Sequence, residues 1–215
     1  DQVVKGIRPG DAWNALRELC LEFCGAGIAE RVLVASILNV DLDPFRHRVL
    51  LDKGAADGVF KDQAVLDGDG IFGQVSKVNA STAEVILISD AEHAIPVQSN
   101  RSGVRTIAVG TGDQHKLSLP FVTVESDLQA GDLLLSTGMG GVFPAGYPVA
   151  QVSKVKRAGS TFALVEAKPT AKLDQAREVL LVWFKAPADP APAPVAGDAQ
   201  SAPPGTLVEK PATAA

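Results

Sequence analysis

The sequence predicts a mainly β protein: two six-stranded β-barrel domains preceded by a short N-terminal helix. Between residues 31 and 182, helical periodicity is nearly absent. Short alternations such as Phe72-Gly73-Gln74-Val75-Ser76-Lys77 are instead separated by Gly, Asp, Asn and Pro turn signals, the pattern of all-β barrels or sandwiches. The pentamer Gln74-Val75-Ser76-Lys77-Val78 returns unchanged at Gln151-Val152-Ser153-Lys154-Val155, and each copy is followed by a Ser-Thr pair and a second apolar strand. A repeat that carries its flanks along is a duplicated supersecondary unit.

The first element is a helix from Asp11, a plausible N-cap, to about Phe23, with Trp13, Leu16, Leu19, Cys20 and Phe23 recurring at spacings of three and four. So short a helix is marginal alone, so its stripe either packs on its own domain or ends a coiled coil that self-associates. Cys20 and Cys24 lie one turn apart, poorly placed to bridge, and read first as small apolar residues. Twelve strands follow, near 31–40, 46–53, 63–66, 70–79, 84–89, 94–99, 104–109, 116–122, 132–136, 147–156, 162–167 and 178–184. The segment 131–155 reads as a sheet corner, two strands joined by a Gly- and Pro-rich connection.

A division at mid-chain would cut the hairpin around Gly110-Thr111-Gly112-Asp113. The expected arrangement is therefore nested: residues 31–54 plus 125–185 form the first barrel and 55–124 an inserted second barrel, with a sequential split as the alternative. Beyond Lys185, half of the 14 prolines and ten alanines make 186–215 an expected disordered tail.

With 46% hydrophobic and 21% charged residues the chain can bury a core. A net charge of -5 without a Lys/Arg run argues against nucleic acid, whose phosphates require a basic face. No apolar run approaches the roughly 20 residues that span a bilayer. The chain starts at Asp1 without a signal-like segment, which reads as a fragment with any targeting segment removed or upstream.

The chemical motifs dissolve under scrutiny. Gly68-Asp69-Gly70-Ile71-Phe72-Gly73 fits a dinucleotide-binding pattern, yet a strand follows it where a helix N-terminus is needed. Gly138-Met139-Gly140-Gly141 lacks the Lys-Ser/Thr of a P-loop. His47, His93 and His115 have no Gly-x-Ser-x-Gly or other nucleophile setting to serve, and no metal-ligand spacing joins them. No catalytic, metal or cofactor site is expected. What remains is surface: Phe45, Phe143 and Tyr147 as candidate partner anchors, and Trp13, Leu16, Leu19 and Phe23 as a candidate self-association stripe.

Several stretches, taken in order, resemble a known family. They are Val32 to Lys53 with Asp43-Pro44-Phe45, Asp57-Gly58-Val59, Gly70-Ile71-Phe72-Gly73-Gln74-Val75, Ala94-Ile95-Pro96-Val97, Arg101-Ser102-Gly103-Val104-Arg105, Gly131-Asp132-Leu133-Leu134 and Phe143-Pro144-Ala145-Gly146-Tyr147-Pro148-Val149. Together they are similar to the extracytoplasmic part of the rod-shape-determining MreC family, proteobacterial type. The resemblance implies two barrels similar to those of chymotrypsin-like proteases, following a coiled-coil helix and an inner-membrane anchor upstream. It implies a periplasmic, non-catalytic scaffold of cell-wall elongation that contacts a class B penicillin-binding protein and MreD and is linked to the actin-like MreB system. A self-assembling filament or dimer and a degenerate trypsin-like hydrolase are the alternatives. The hydrolase would be revived by a clustered Ser, His and Asp.

Overall fold

A computed structural model describes residues 31–41, 43, 46–157 and 161–184. The expected N-terminal helix with its Trp13, Leu16, Leu19 and Phe23 stripe, Phe45, and the expected tail lie outside the described residues. Among the described residues twelve strands are formed: β1 (Arg31–Val40), β2 (Arg48–Leu51), β3 (Ala64–Leu66), β4 (Ile71–Val78), β5 (Ala83–Leu87), β6 (Ala94–Ser99), β7 (Arg105–Asp113), β8 (Lys116–Leu119), β9 (Leu133–Ser136), β10 (Pro148–Lys156), β11 (Leu164–Pro169) and β12 (Glu178–Trp183). Among the described residues, no helix is long and apolar enough to cross a membrane.

The strands close two antiparallel barrels. Barrel 1 runs β1-β12-β3-β4-β5-β2 and barrel 2 runs β10-β11-β8-β7-β6-β9. This corrects the expected domain boundaries. A cut after residue 54 would separate β2 from β5, which pair from Arg48↔Ile86 to Leu51↔Ala83. A cut after residue 124 would separate β6 from β9, paired at Val97↔Ser136. Strands β3, β4 and β5 therefore belong to barrel 1 and β9, β10 and β11 to barrel 2, whose strands lie contiguously between Ala94 and Pro169.

The two strand orders superpose when β1 to β5 are matched to β7 to β11 and β12 to β6. The chain is thus two sequential six-strand units that exchange their last strand. β6 ends the first unit but closes barrel 2, and β12 ends the second but closes barrel 1. The repeated pentamer occupies equivalent places in β4 and β10, and it bulges at the same residue. Register jumps between Val75 and Lys77 and between Val152 and Lys154, leaving Ser76 and Ser153 as the extra residues. Each serine hydroxyl donates to a glutamate carbonyl on the next strand, Ser76 Oγ to Glu84 O at 3.2 Å and Ser153 Oγ to Glu166 O at 3.0 Å. A bulge bends its strand and sharpens the twist, which a closed barrel of six short strands requires.

Inward side chains fill both barrels, with Leu51, Val65, Val75 and Val85 in the first and Ile95, Leu117, Leu119 and Leu134 in the second, and these merge into one continuous apolar core. Each such side chain contributes roughly 1.5–3 kcal/mol. β3, the start of β4 and Val179 to Val182 of β12 are buried on both faces, because barrel 2 and the connectors cover the outer side of barrel 1. Two connectors strap the barrels together. In the first, residues 88–93, Gly112 N–H donates to the Ser89 carbonyl and Gly110 N–H to the His93 carbonyl. In the second, residues 170–177, Thr170 N–H donates to Val149 O at 3.0 Å and Lys172 N–H to Asp67 Oδ2 at 2.8 Å. A Cβ at Gly110 would lie 1.9 Å from the Asp90 carbonyl oxygen, so glycine is what lets the first strap approach β7.

Candidate functional site

The glycine-rich connection between β9 and β10 buries one of the two anchors expected of it. Phe143 is 4% exposed, with its ring edge-on to His93 at 5.8 Å between centroids. It is corrected from a surface anchor to a core residue, because the first strap folds over it. Tyr147 is half-buried against the same core, and burial pushes its hydroxyl pKa up to about 12. Its backbone N–H donates to Ser136 Oγ at 3.0 Å, and Ser136 N–H donates to its carbonyl at 2.8 Å. Both aromatics fasten this connection to barrel 2.

The first strap does bring a Ser, a His and an Asp together. His47 Nδ1 lies 2.8 Å from Ser89 Oγ, and Asp90 Oδ2 accepts the His47 main-chain N–H at 2.9 Å. The arrangement is not that of a nucleophilic triad. The carboxylate binds main-chain N–H groups, from His47 and Glu92, and not the imidazole, so nothing fixes the ring as a base. Ser89 has no exposed surface, so no substrate carbonyl can reach it. The cluster is a buried hydrogen-bonded tie between the strap and barrel 1. The groove beside the second strap, about 420 Å³ and lined by residues including His115, Lys168 and Lys172, assembles no nucleophile with a base.

What stands out instead is an apolar face on the outside of barrel 2. Leu119 and Val165 pair across β8 and β11 with both side chains inside the barrel, so strand alternation turns Leu164 outward. Leu164 is 68% exposed, Phe121 59%, Phe162 47% and Ile107 37%. They sit on adjoining strands: Ile107 on β7, Phe121 just beyond β8, Leu164 on β11, and Phe162 bridged to Thr123. Large apolar side chains gathered on one face mark a contact surface more strongly than single ones scattered over a protein.

That face has a basic rim. Leu164 is opposite Lys156 and Glu166 opposite Lys154, and Arg105, Lys154, Lys156 and Arg157 are all exposed. Lys116, 3.0 Å from Glu166, together with Lys154 and Lys156, holds that carboxyl below the usual range. The polarity extends to the whole barrel. Residues 94–169 hold seven Lys/Arg against five Asp/Glu, whereas 31–93 with 170–184 hold eight against twelve. Arg101 is absorbed into structure, forking onto Asp132 at 2.7 Å and Asp127 at 2.8 Å and lowering the pKa of both carboxyls.

The apolar face escaped sequence reasoning, although a signal existed. In Phe162-Ala163-Leu164-Val165 the apolar run does not alternate, so it leaves apolar residues on both sides of the strand.

Two closed antiparallel barrels with strand-swapped units, and an exposed apolar face on the second, define a two-barrel all-β protein. Residues 37–183 match the family model described as rod shape-determining protein MreC, barrel core, and the chain belongs to the MreC family. It is 44% identical over 151 residues to the cell shape-determining protein MreC of Haemophilus influenzae, a match covering 70% of this chain and 43% of that protein. The chain thus spans less than half the length of that relative. The crystal structure of MreC from Pseudomonas aeruginosa is 51% identical, with a TM-score of 0.69 over 72% of this chain and 100% of that one. A complex between penicillin-binding protein PBP2 and MreC from Helicobacter pylori shares the fold at 18% identity, with a TM-score of 0.53 over 71% of this chain and 99% of that one.

Proposed function

We infer that this chain is the two-barrel part of a non-catalytic scaffold for cell-wall elongation, acting in the periplasm and held at the inner membrane by a segment upstream. Its work is to bind a class B penicillin-binding protein, alongside MreD and the actin-like MreB system. The observation that carries the reading is the apolar face of Ile107, Phe121, Phe162 and Leu164 with its rim of lysines and arginines. The H. pylori complex supports the partner class, because the relative there is seen with a penicillin-binding protein. Aromatic and leucine side chains at the centre of a contact supply most of its energy, and a charged rim supplies orientation and rate.

The test is the double variant Phe121→Ala with Leu164→Asp, its binding to the extracytoplasmic part of a class B penicillin-binding protein measured by calorimetry. All three positions of the substituted and neighbouring side chains, 121, 162 and 164, are exposed, so the fold should hold. Affinity is expected to fall by about tenfold or more. An unchanged affinity in a folded variant would exclude this face.

A second reading is favoured by the division of charge between the barrels. An acidic barrel 1 and a basic barrel 2 are complementary between copies, so head-to-tail self-association is a use of the same face.

A further inference from the structure

His93 lies on the first strap, where the chain leaves barrel 1 for barrel 2. The residue is 4% exposed and neither ring nitrogen has a hydrogen-bond partner among the described residues. Buried polar groups are nearly always satisfied, and a leucine would fill similar space without a desolvation cost. An imidazole kept in that position points to a use for its other charge state.

The strap is anchored unequally. Toward barrel 1 it has charged and side-chain bonds: Asp90 Oδ2 accepts the His47 N–H at 2.9 Å, His47 Nδ1 meets Ser89 Oγ at 2.8 Å, and Glu92 pairs with Arg48 at 3.0 Å. Toward barrel 2 it has two main-chain bonds, Gly110 N–H to His93 O at 3.0 Å and Gly112 N–H to Ser89 O at 2.9 Å, and the packing of the His93 ring on Phe143. The barrel 2 side is the one that depends on how His93 is seated.

We propose that His93 is a proton-triggered latch between the barrels: charging the ring drives it from its enclosed seat beside Phe143 into water and releases the strap from β7, while the anchors on barrel 1 hold. Among the described residues, the charged group that acts on the ring is Asp90 on the strap itself, and the uncharged Phe143 packs on the ring from barrel 2; His47 and Arg48 reach the strap from barrel 1 at Ser89, Asp90 and Glu92. Asp90 favours the imidazolium, but its oxygens are already bonded to the N–H groups of His47 and Glu92. Burial dominates, and it pushes the seated ring's pKa down to about 4 from the ordinary 6.5. Between those values a released ring is charged and a seated ring is neutral. Release is therefore favoured as pH falls from 6.5 toward 4, and the drive vanishes above 6.5.

Amide hydrogen exchange on the whole chain, expressed as protection factors at about pH 7 and about pH 4.5, tests this. At full linkage the two pKa values allow protection at the Gly110 and Gly112 amides to fall on the order of 50-fold. Amides of the β1–β12 ladder should keep theirs, and in His93→Leu the two glycine amides should stay protected at both pH values. A fall smaller than about fivefold in the parent overturns the proposal, whatever the variant does. So does a loss shared by the β1–β12 ladder, which would be global unfolding, or an equal loss in a folded His93→Leu.

Discussion

Ser76 and Ser153 show why the pentamer is repeated. Each is the extra residue of a bulge, and each fixes that bulge by donating to a glutamate carbonyl on the following strand, so the repeated letters encode one bend used once per barrel. Gly73, three residues before Ser76 in β4, is a constraint of another kind. A Cβ there would lie 2.2 Å from the Ile86 carbonyl oxygen, and backbone cannot yield as a side-chain tip can. Gly73→Val is expected to destabilise the protein by about 3 kcal/mol or more, read as a lowered urea midpoint at unchanged slope. A variant unfolding with the parent would show that β4 and β5 can separate freely at this point. The repeat was legible at this scale, whereas the setting of Phe143 was not. A glycine-rich connection suggests exposure, and the cover over this ring comes from His93, about fifty residues earlier in the chain.

At the scale of elements, alternation and turn residues located all twelve strands, because both signals are local. Assignment of β3 to β5 and of β9 to β11 to their barrels was out of reach, since closure depends on partners far apart in sequence. Leu51 pairs with Ala83 and Val97 with Ser136, and no short-range pattern states this. The exchanged sixth strands deepen the difficulty, because β6 and β12 each follow one unit and complete the other. The exchange has a mechanical consequence. Residues 94–169 contain every strand of barrel 2, whereas residues 31–99 lack β12 and carry a β6 with no place in barrel 1. A fragment spanning 94–169 is expected to give dispersed amide resonances and a cooperative transition, at reduced stability because Gly110, Gly112 and Val149 lose their bonds to His93, Ser89 and Thr170. A fragment spanning 31–99 should not, since barrel 1 would be left with open edges at β1 and β3. Independent folding of 31–99 would mean that β6 can substitute for β12, and that the exchange between barrels is reversible.

For the whole molecule, the unequal charge of the two barrels and the apolar face of barrel 2 set two contacts in competition. A partner held by the apolar centre and a second copy steered by the opposite charge of barrel 1 cannot both occupy Phe121, Phe162 and Leu164. The contacts should respond differently to salt. Charge steering between exposed groups is screened over a Debye length of about 10 Å at 0.1 M and about 3 Å at 1 M, whereas apolar burial is not weakened by salt. Sedimentation equilibrium of this chain across a wide concentration range is therefore expected to show association at low ionic strength that is largely lost in about 0.5 M salt. Adding the extracytoplasmic part of a class B penicillin-binding protein at low salt should replace the chain's own assemblies with a one-to-one complex. Assemblies that persist beside the bound partner would place self-association on another surface, and the Trp13, Leu16, Leu19 and Phe23 stripe would then be the segment to substitute. A chain that stays monomeric at every salt concentration yet binds the partner would leave the basic rim a role in steering that partner alone.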